Sequence, residues 1–210
     1  MKRFLYVLAV SLAFAAAGPA AHAQSFKEGV DYSVMAKPIP TDNPARIEVA
    51  EFFWYGCPHC YEFEPSLESW VKALPKDVEF KRIPAPLNKQ WAVAARVYYT
   101  LESMGLVEKL HTSLFNAIHR DDLRITNERA LLDWLGKQGV DTKKFSTNYR
   151  SFSVESKIKR AQSLAQEVVL EGVPALLVNG KYLIPGQSAA RMLAIADYLI
   201  TQSRKEMAKK

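Results

Sequence analysis

A short apolar run that leads directly into a pair of cysteines constrains this chain more than any other feature. The run over residues 47–53 is rich in β-branched and aromatic side chains, which predicts a buried strand. Gly56 then permits a tight turn, and Pro58 suits the first turn of a helix because its fixed φ and missing N–H cost nothing there. Cys57 is therefore expected at a helix N-terminus, where unpaired backbone N–H groups and the helix dipole favour a thiolate.

Cys57 and Cys60 are the only two cysteines in the 210-residue chain. A disulfide between them closes a very short loop, so it removes little chain entropy and adds little stability. Redox chemistry is therefore the first interpretation, and a small structural disulfide or half of a metal site are the alternatives. A structural zinc normally takes four protein ligands, and His111 and His119 show no matching spacing. We expect no cofactor other than the redox-active disulfide Cys57–Cys60.

The N-terminus has the pattern of a targeting segment. Met-Lys-Arg is followed by an apolar run over residues 4–17 and by Ala21-His22-Ala23, which predicts a signal peptide over residues 1–23, cleaved after Ala23. The apolar run is short for a membrane span, and no later stretch is long enough, so we expect an exported protein with no membrane span of its own. Export would place the two cysteines in an oxidising compartment.

The charge of the chain argues against nucleic acid as a partner. The net charge of +6 falls to +4 when Lys2 and Arg3 leave with the signal peptide, and part of the surplus lies in the tail over residues 204–210. Nucleic-acid binding would need a clustered basic patch with interleaved aromatic residues. The chain beyond residue 23 is long enough to bury a core without disulfide staples.

Hydrophobic periodicity predicts an α/β unit that is interrupted by a helical block. The predicted α/β part covers residues 24–88 and 172–210, and the inserted helical domain covers residues 89–171. Asn179-Gly180 predicts a hairpin with a type I′ turn. The predicted elements are an edge strand near Tyr32, strand 47–53, a helix from Cys57 to about Ala73 with a kink at Pro65, strand 78–83, helices over 90–104, 107–119, 127–138, 142–150 and 154–171, strands 175–178 and 181–184, and a last helix over 188–203.

The side chains of the helical block are interpreted as structural rather than chemical. Its large aromatic residues are expected in the core, and its two histidines are expected to be structural or surface residues. The aromatic residues are Trp91, Tyr98, Tyr99, Phe115 and Trp134, and the histidines are His111 and His119.

The order of strand, Cys-x-x-Cys, helix and a later proline before a hairpin resembles the thioredoxin fold. Within it, the sequence resembles the DsbA family of exported thiol oxidases, and the likeness covers essentially all of the mature chain. A departure lies at Gly56, where the best-known member has Phe, so the surface that meets partners is expected to differ. The matching segments are 51–53, Cys57-Pro58-His59-Cys60, the inserted helices, Gly172-Val173-Pro174-Ala175 and 178–182.

The resemblance also implies roles for residues outside the cysteine pair. Pro174 is expected to follow a cis peptide bond and to lie against the sulfurs, with the backbone of Val173 free to pair with a substrate strand. Glu51 is expected to be a buried acid near Cys60 that assists proton movement. A salt bridge from Glu51 to Lys81 or Arg82 is the alternative, and both interpretations are compatible.

Three features are expected to stabilise the Cys57 thiolate. The helix end comes first, the ring or the charge of His59 second, and the stiffening effect of Pro58 third. Glu64, one helical turn beyond Cys60, either tunes the thiolate from a distance or lies on a solvated face.

Together these observations predict a periplasmic dithiol oxidase. It would donate the Cys57–Cys60 disulfide to unfolded, newly exported proteins through a mixed disulfide, act as a monomer, and be reoxidised by a membrane protein of DsbB type. A disulfide isomerase is disfavoured because only about twenty mature residues precede the first central strand. A reductase is disfavoured because His59 favours the thiolate. A peptide-binding holdase that does not use its thiols is the alternative from another class.

Overall fold

The computed structural model describes residues 26–209, so the signal peptide predicted over residues 1–23 lies outside the described part. A five-stranded mixed sheet has the order β1-β5-β4-β2-β3. The strands are β1 (Ser33–Val34), β2 (Ile47–Phe53), β3 (Val78–Pro84), β4 (Ala175–Val178) and β5 (Tyr182–Ile184). The helices are α1 (Pro58–Lys72), α2 (Lys89–Ser103), α3 (Val107–His119), α4 (Glu128–Lys137), α5 (Thr142–Tyr149), α6 (Phe152–Glu167) and α7 (Ala189–Met207).

Strand β2 is an inner strand of the sheet, between β4 and β3, as its mostly apolar sequence predicts. It is buried along its whole length and pairs in parallel with β3 and antiparallel with β4. Its side chains serve two cores: Ile47 and Val49 pack with residues of α1 and α7, and Ala50 and Phe52 belong to the core of the inserted helices. Burial on both faces explains why five of its seven residues are apolar rather than every second one.

Helices α2 to α6 follow β3 in the chain and lead to β4, as expected for an insertion. Their core is continuous with the sheet, since Phe52 and Phe53 share one apolar cluster with Leu114 and Phe115. The domain division at residues 89 and 171 stays a prediction. Among the aromatic residues expected in the core, Tyr98, Tyr99 and Phe115 are buried. Trp91 and Trp134 are only partly buried, which corrects that expectation, and Trp134 packs against the edge of the cluster.

Several boundaries differ from the sequence-based prediction for local reasons. Helix α6 starts two residues early because the Ser151 side chain caps it by accepting the N–H of Val154. It ends at Glu167 rather than residue 171, since Val169 has a positive φ of 52° that no α-helix accommodates. Helix α7 continues to Met207 instead of ending at residue 203.

The predicted hairpin forms, with a small change in its loop. Asn179 and Gly180 both have positive φ, 52° and 63°, and the N–H of Lys181 donates to the carbonyl of Val178 at 3.0 Å. These are the dihedral signs of the predicted type I′ turn. Strand β5 begins at Tyr182, so Lys181 stays in the loop.

Candidate active site

The two cysteines lie at the start of α1, directly beyond the carboxyl end of β2. Cys57 is the N-cap residue and Pro58 occupies the first helical position, as the sequence predicts. The N–H of Cys57 donates to the carbonyl of Trp54 at 2.9 Å, which closes the turn between strand and helix. Both cysteines are free thiols. Cys57 retains 8% of its surface and Cys60 none, so one sulfur faces the outside and the other is enclosed.

The proline loop lies against the first sulfur, as the resemblance implies. The Val173–Pro174 peptide bond is cis. The Cys57 thiol donates to the carbonyl oxygen of Val173 at 3.5 Å, a typical length for a weak sulfur donor. Pro174 directly precedes β4, which pairs with β2, and this pairing brings two segments 116 residues apart to one place.

The pKa of Cys57 is lowered to about 6. The largest cause is the hydrogen bond that its sulfur accepts from the Cys60 thiol, and this effect outweighs partial burial. The backbone N–H groups of Cys60 and His59 lower the pKa further, as the open N–H groups of a helix end should. At neutral pH most of Cys57 is therefore a thiolate when the pair is reduced.

The pKa of Cys60 is raised far above its ordinary range. Burial is the main cause, and donation to Cys57 and the negative charge of Glu51 act in the same direction. The pKa values of the two thiols, only three residues apart, are thus shifted in opposite directions: Cys57 is an anion at neutral pH and Cys60 keeps its proton.

His59 contributes less than the sequence-based ranking assigned to it. Its side chain is 79% exposed, and its ring Nδ1 lies 3.4 Å from Glu62 rather than on the sulfur. The charge of the ring still lowers the pKa of Cys57, but it ranks last among the causes. The donor that ranks first, the Cys60 thiol, was absent from the prediction, which considered Cys60 only as the closing partner of the ring.

Behind the cysteines, Glu51 and Glu64 flank the guanidinium of Arg82. Glu51 is fully buried and lies 3.4 Å from Nε of Arg82, whereas Lys81 pairs with Glu48 at 2.7 Å. The alternative of a salt bridge to Arg82 is therefore confirmed, and the one to Lys81 is wrong. Glu64 is also buried and forms an ion pair with Arg82, which excludes the solvated face considered for it.

The two buried acids differ in protonation. Burial raises the pKa of Glu51 to about 8, with help from the negative charge of Glu64 and against the charge of Arg82. Burial also works against ionisation of Glu64, but His111 and Arg82 outweigh it, so the pKa of Glu64 is lowered. At neutral pH Glu64 is the anion and Glu51 holds a proton.

The sequence and fold of this chain match those of known proteins. The family model described as a DSBA-like thioredoxin domain matches residues 48–198, which is most of the chain. This chain belongs to the DsbA family. It is 40% identical over 202 residues to the thiol:disulfide interchange protein DsbA of Pseudomonas aeruginosa, covering 94% of this chain and 96% of that one. The corresponding protein of Burkholderia cepacia is 39% identical over 215 residues, covering 96% and 97%.

Solved structures of DsbA proteins have the same fold. The crystal structure of Pseudomonas aeruginosa DsbA gives a TM-score of 0.83 at 39% identity, covering 88% of this chain and 97% of that one. The crystal structure of the oxidoreductase DsbA from Xylella fastidiosa gives a TM-score of 0.79 at 32% identity, covering 83% of this chain and 96% of that one. The α/β thioredoxin fold and the activity class, a thiol:disulfide oxidoreductase, are thereby confirmed.

Within residues 26–209, no cluster of three or more His, Cys, Asp or Glu side chains is arranged to hold a metal ion. No helix in the same range is long and apolar enough to cross a membrane.

Two histidines that the sequence left as structural or surface residues support the DsbA-family cysteine loop. The Nδ1 atom of His111 lies 2.8 Å from the Tyr55 hydroxyl, and Nε2 of His119 lies 2.8 Å from the Tyr55 carbonyl. His119 also stacks on Tyr61, with ring centroids 4.7 Å apart. His111, Phe115 and His119 recur every four residues and so share one face of α3, the sequence signal that could have grouped them.

The departure from the DsbA pattern at Gly56 has a packing cause. A Cβ atom at Gly56 would lie 2.3 Å from the Trp54 ring, so the indole occupies the space of the missing side chain. Trp54 in turn stacks on Trp91, with centroids 4.6 Å apart and an angle of 10° between planes. Gly56 is needed for this stack rather than for its backbone conformation, since it is not among the residues with positive φ.

Replacing Gly56 by alanine is expected to displace the Trp54 ring from Trp91. Loss of the aromatic pair should cost about 0.5–1.5 kcal/mol of unfolding free energy and change the tryptophan signal in near-ultraviolet circular dichroism. Gly136→Ala is the matched control, because its Cβ meets only one atom, at 3.9 Å, and it lies inside α4. An intact tryptophan signal in Gly56→Ala would contradict this account of the loop.

Titration of the thiolate absorbance should show Cys57 ionising near pH 6. His59→Ala is expected to raise that midpoint by less than roughly half a unit, since backbone donors remain, whereas Cys60→Ala removes the leading donor and should raise it more. Because the folded-state pKa lies below the ordinary value of 9.0, ionisation stabilises the reduced fold increasingly from about pH 6 to 9. This contribution of Cys57 ionisation to the stability of the reduced protein is lost as the pH falls through 6. A larger effect from His59→Ala than from Cys60→Ala would reverse the ranking of causes.

Proposed function

We propose that this oxidoreductase is a dithiol oxidase that donates the Cys57–Cys60 disulfide to unfolded proteins outside the cytoplasm. The observation that carries the proposal is the opposite tendency of the two thiols: the accessible sulfur of Cys57 is stable as an anion, and the buried sulfur of Cys60 is stable as a thiol. Both tendencies stabilise the reduced pair, so they favour transfer of the disulfide to a client. One pKa unit below neutral pH corresponds to about 30 mV of added oxidising potential.

The first step is attack of a client thiolate on the sulfur of Cys57, the more exposed of the pair. A bond forms between the client sulfur and Cys57, the bond between Cys57 and Cys60 breaks, and its electron pair goes to Cys60. Cys60 then takes a proton, which its raised pKa favours. The carbonyl of Val173, 3.5 Å from the Cys57 sulfur, marks where the client backbone would pass.

The second step releases the client. A second client thiolate attacks the client sulfur of the mixed disulfide, a client disulfide forms, and Cys57 leaves as a thiolate. The client has then lost two electrons and two protons, and the enzyme holds Cys57 as an anion and Cys60 as a thiol. The low pKa of Cys57 makes it a good leaving group in this step.

Glu51 is proposed as the group that moves the proton of Cys60. Its pKa of about 8 keeps it protonated at neutral pH, so it can protonate the departing sulfur, and its ionised form can accept that proton during reoxidation. The charge of ionised Glu51 raises the pKa of Cys60, after burial and donation to Cys57. Nε of Arg82 lies 3.4 Å from this carboxyl, close enough to stabilise the anion once Glu51 has given up its proton.

The remaining parts of the proposal concern partners and location. The cleaved signal peptide would deliver the mature protein to the periplasm, where it would meet newly exported clients as a monomer. A membrane protein of DsbB type would accept the electrons by attack of the Cys57 thiolate on its disulfide. The proposed resident redox group is the cysteine pair alone.

The redox state of the cysteine pair in living cells tests the proposal. Cells are quenched with acid, free thiols are alkylated, and the mass of the protein shows whether Cys57 and Cys60 are oxidised. We expect a mainly oxidised pair that becomes reduced when the membrane reoxidant is deleted. A mainly reduced pair in otherwise normal cells would favour a reductase or isomerase instead.

The double variant Cys57→Ser/Cys60→Ser separates the oxidase from the holdase. An oxidase loses all client oxidation in this variant, because no disulfide remains to be donated. A holdase keeps its ability to suppress client aggregation and its effect on client yield. Equal client yields with the double variant and the native protein would refute the oxidase.

A further inference from the structure

A chain of buried polar groups connects Arg82 with the helical block. The Tyr55 hydroxyl meets Nδ1 of His111 at 2.8 Å, and Nε2 of the same ring lies 3.4 Å from Oε1 of Glu64. Glu64 in turn pairs with Arg82, whose Nε faces Glu51. Side chains from β2, β3, α1 and α3 thus form one polar cluster enclosed by apolar residues.

The hydrogen-bonding roles within this chain can be assigned from chemistry. Burial lowers the pKa of His111, so the ring is neutral and has one donor nitrogen and one acceptor nitrogen. Nε2 of the ring faces the Glu64 carboxylate at 3.4 Å, which favours the tautomer that carries its proton on Nε2. In that tautomer Nδ1 accepts from the Tyr55 hydroxyl, which burial keeps protonated.

The cluster has two buried carboxyl groups but only one strong cation, Arg82. Burying two carboxylates with a single guanidinium is costly, so one of the acids must stay protonated. Which acid keeps its proton depends on the donors around each. Glu64 accepts a hydrogen bond from Arg82 and faces Nε2 of His111 at 3.4 Å, too long or misaligned for a hydrogen bond. Within the described residues, Glu51 has a 3.4 Å contact with Arg82 and no hydrogen bond.

We propose that His111, oriented by Tyr55, is a positioning residue that holds Glu64 as the ionised partner of Arg82 and so leaves the exchangeable proton on Glu51. The inference rests on the proposed role of Glu51 in moving the proton of Cys60. It adds three residues, Tyr55, Glu64 and His111, that determine the pH at which Glu51 changes from a proton donor to a proton acceptor. The other titratable groups whose charges act on Glu51 or His111 are Cys60, Glu68, Arg82 and Tyr98.

Titration of the two glutamate carboxyls by NMR in the reduced, purified protein tests the proposal. In His111→Leu, the ionisation midpoint of Glu51 is expected to fall by at least about one unit while that of Glu64 rises, because Glu64 has lost the imidazole N–H that faces it. His111→Gln should restore the native midpoints, since an amide can accept from Tyr55 and donate to Glu64. Glu68→Gln is the matched control one turn along α1 and should leave Glu51 unchanged.

The rate of a thiol–disulfide exchange step also depends on the ionisation of Glu51 and gives a second test. Reduced enzyme mixed with oxidised glutathione forms a mixed disulfide at Cys57, and attack by Cys60 then releases glutathione. The rate of this release should rise through the ionisation of Glu51, so its pH profile should move to lower pH in His111→Leu and return in His111→Gln.

An unchanged Glu51 midpoint in folded His111→Leu would overturn the proposal. If that variant does not fold, Tyr55→Phe is the test, because it keeps the His111 imidazole but removes the hydroxyl that selects its tautomer. Tyr55→Phe should also lower the ionisation midpoint of Glu51. An unchanged midpoint in Tyr55→Phe would overturn the proposal. These titrations need no client, so they fail independently of the oxidase proposal, which is tested by the redox state in cells.

Discussion

Cys60→Ser is expected to stop disulfide donation entirely and to accumulate mixed disulfides at Cys57. The serine hydroxyl keeps a donor beside the Cys57 sulfur, so that thiolate remains stable and attacks any disulfide it meets. Without a second enzyme thiol the adduct cannot be resolved within the protein. Mass spectrometry of the protein from cells, and of the purified variant incubated with oxidised glutathione, would detect these adducts.

Cys57→Ser is the matched variant with the opposite result. Its remaining thiol, Cys60, is buried and has a raised pKa, so it should form no adducts. At neutral pH the alkylation rate of the thiol in Cys60→Ser should exceed that in Cys57→Ser by at least about a thousandfold, because only the thiolate reacts. Comparable rates in the two variants would contradict the division of roles between the sulfurs.

Arg82→Met is expected to destabilise the fold by about 3–5 kcal/mol at pH 8, the largest effect on stability that we foresee. The methionine keeps the apolar packing of the stem but leaves Glu51 and Glu64 buried without their shared cation. Both carboxyl pKa values should then rise, so the folded state binds protons that the unfolded chain releases. Stability of the variant should therefore fall as the pH rises above the ordinary glutamate pKa, and chemical denaturation at pH 5 and pH 8 measures the difference.

Lys81→Met is the matched control on the neighbouring residue of the same strand. Of its two partners, Glu48 is buried but also accepts the N–H of Asp42, and Asp42 is exposed, so the change should cost about 1–2 kcal/mol and depend less on pH than Arg82→Met does. A cost for Arg82→Met as small as this, and independent of pH, would show that the buried acids do not need the guanidinium.

The local architecture of the site could be predicted because it depends on neighbouring residues. An apolar run, a glycine and a proline specify strand, turn and helix within twelve residues of Ile47, and they place Cys57 at the helix N-terminus. The Asn179-Gly180 turn follows from the same kind of short-range preference. The cis bond at Pro174 and the buried acid at Glu51 came from family resemblance, since spacing alone does not reveal either.

Only the tertiary structure decided which charges share the interior and how the sulfurs interact. Glu64 looked as suited to a solvated helix face as to the core, and it is buried because Arg82 from β3 and His111 from α3 reach it. The distribution of protons between Glu51 and Glu64 depends on desolvation and on partners up to about 47 residues apart, which no local pattern encodes. By itself the sequence determined that this chain has a reactive cysteine, Cys57, at a helix N-terminus. The packing of distant elements decided that Cys60 is buried and protonated and that its thiol is the main group stabilising the Cys57 thiolate. Burial and donor geometry could not be read from the sequence because they exist only once the chain has folded.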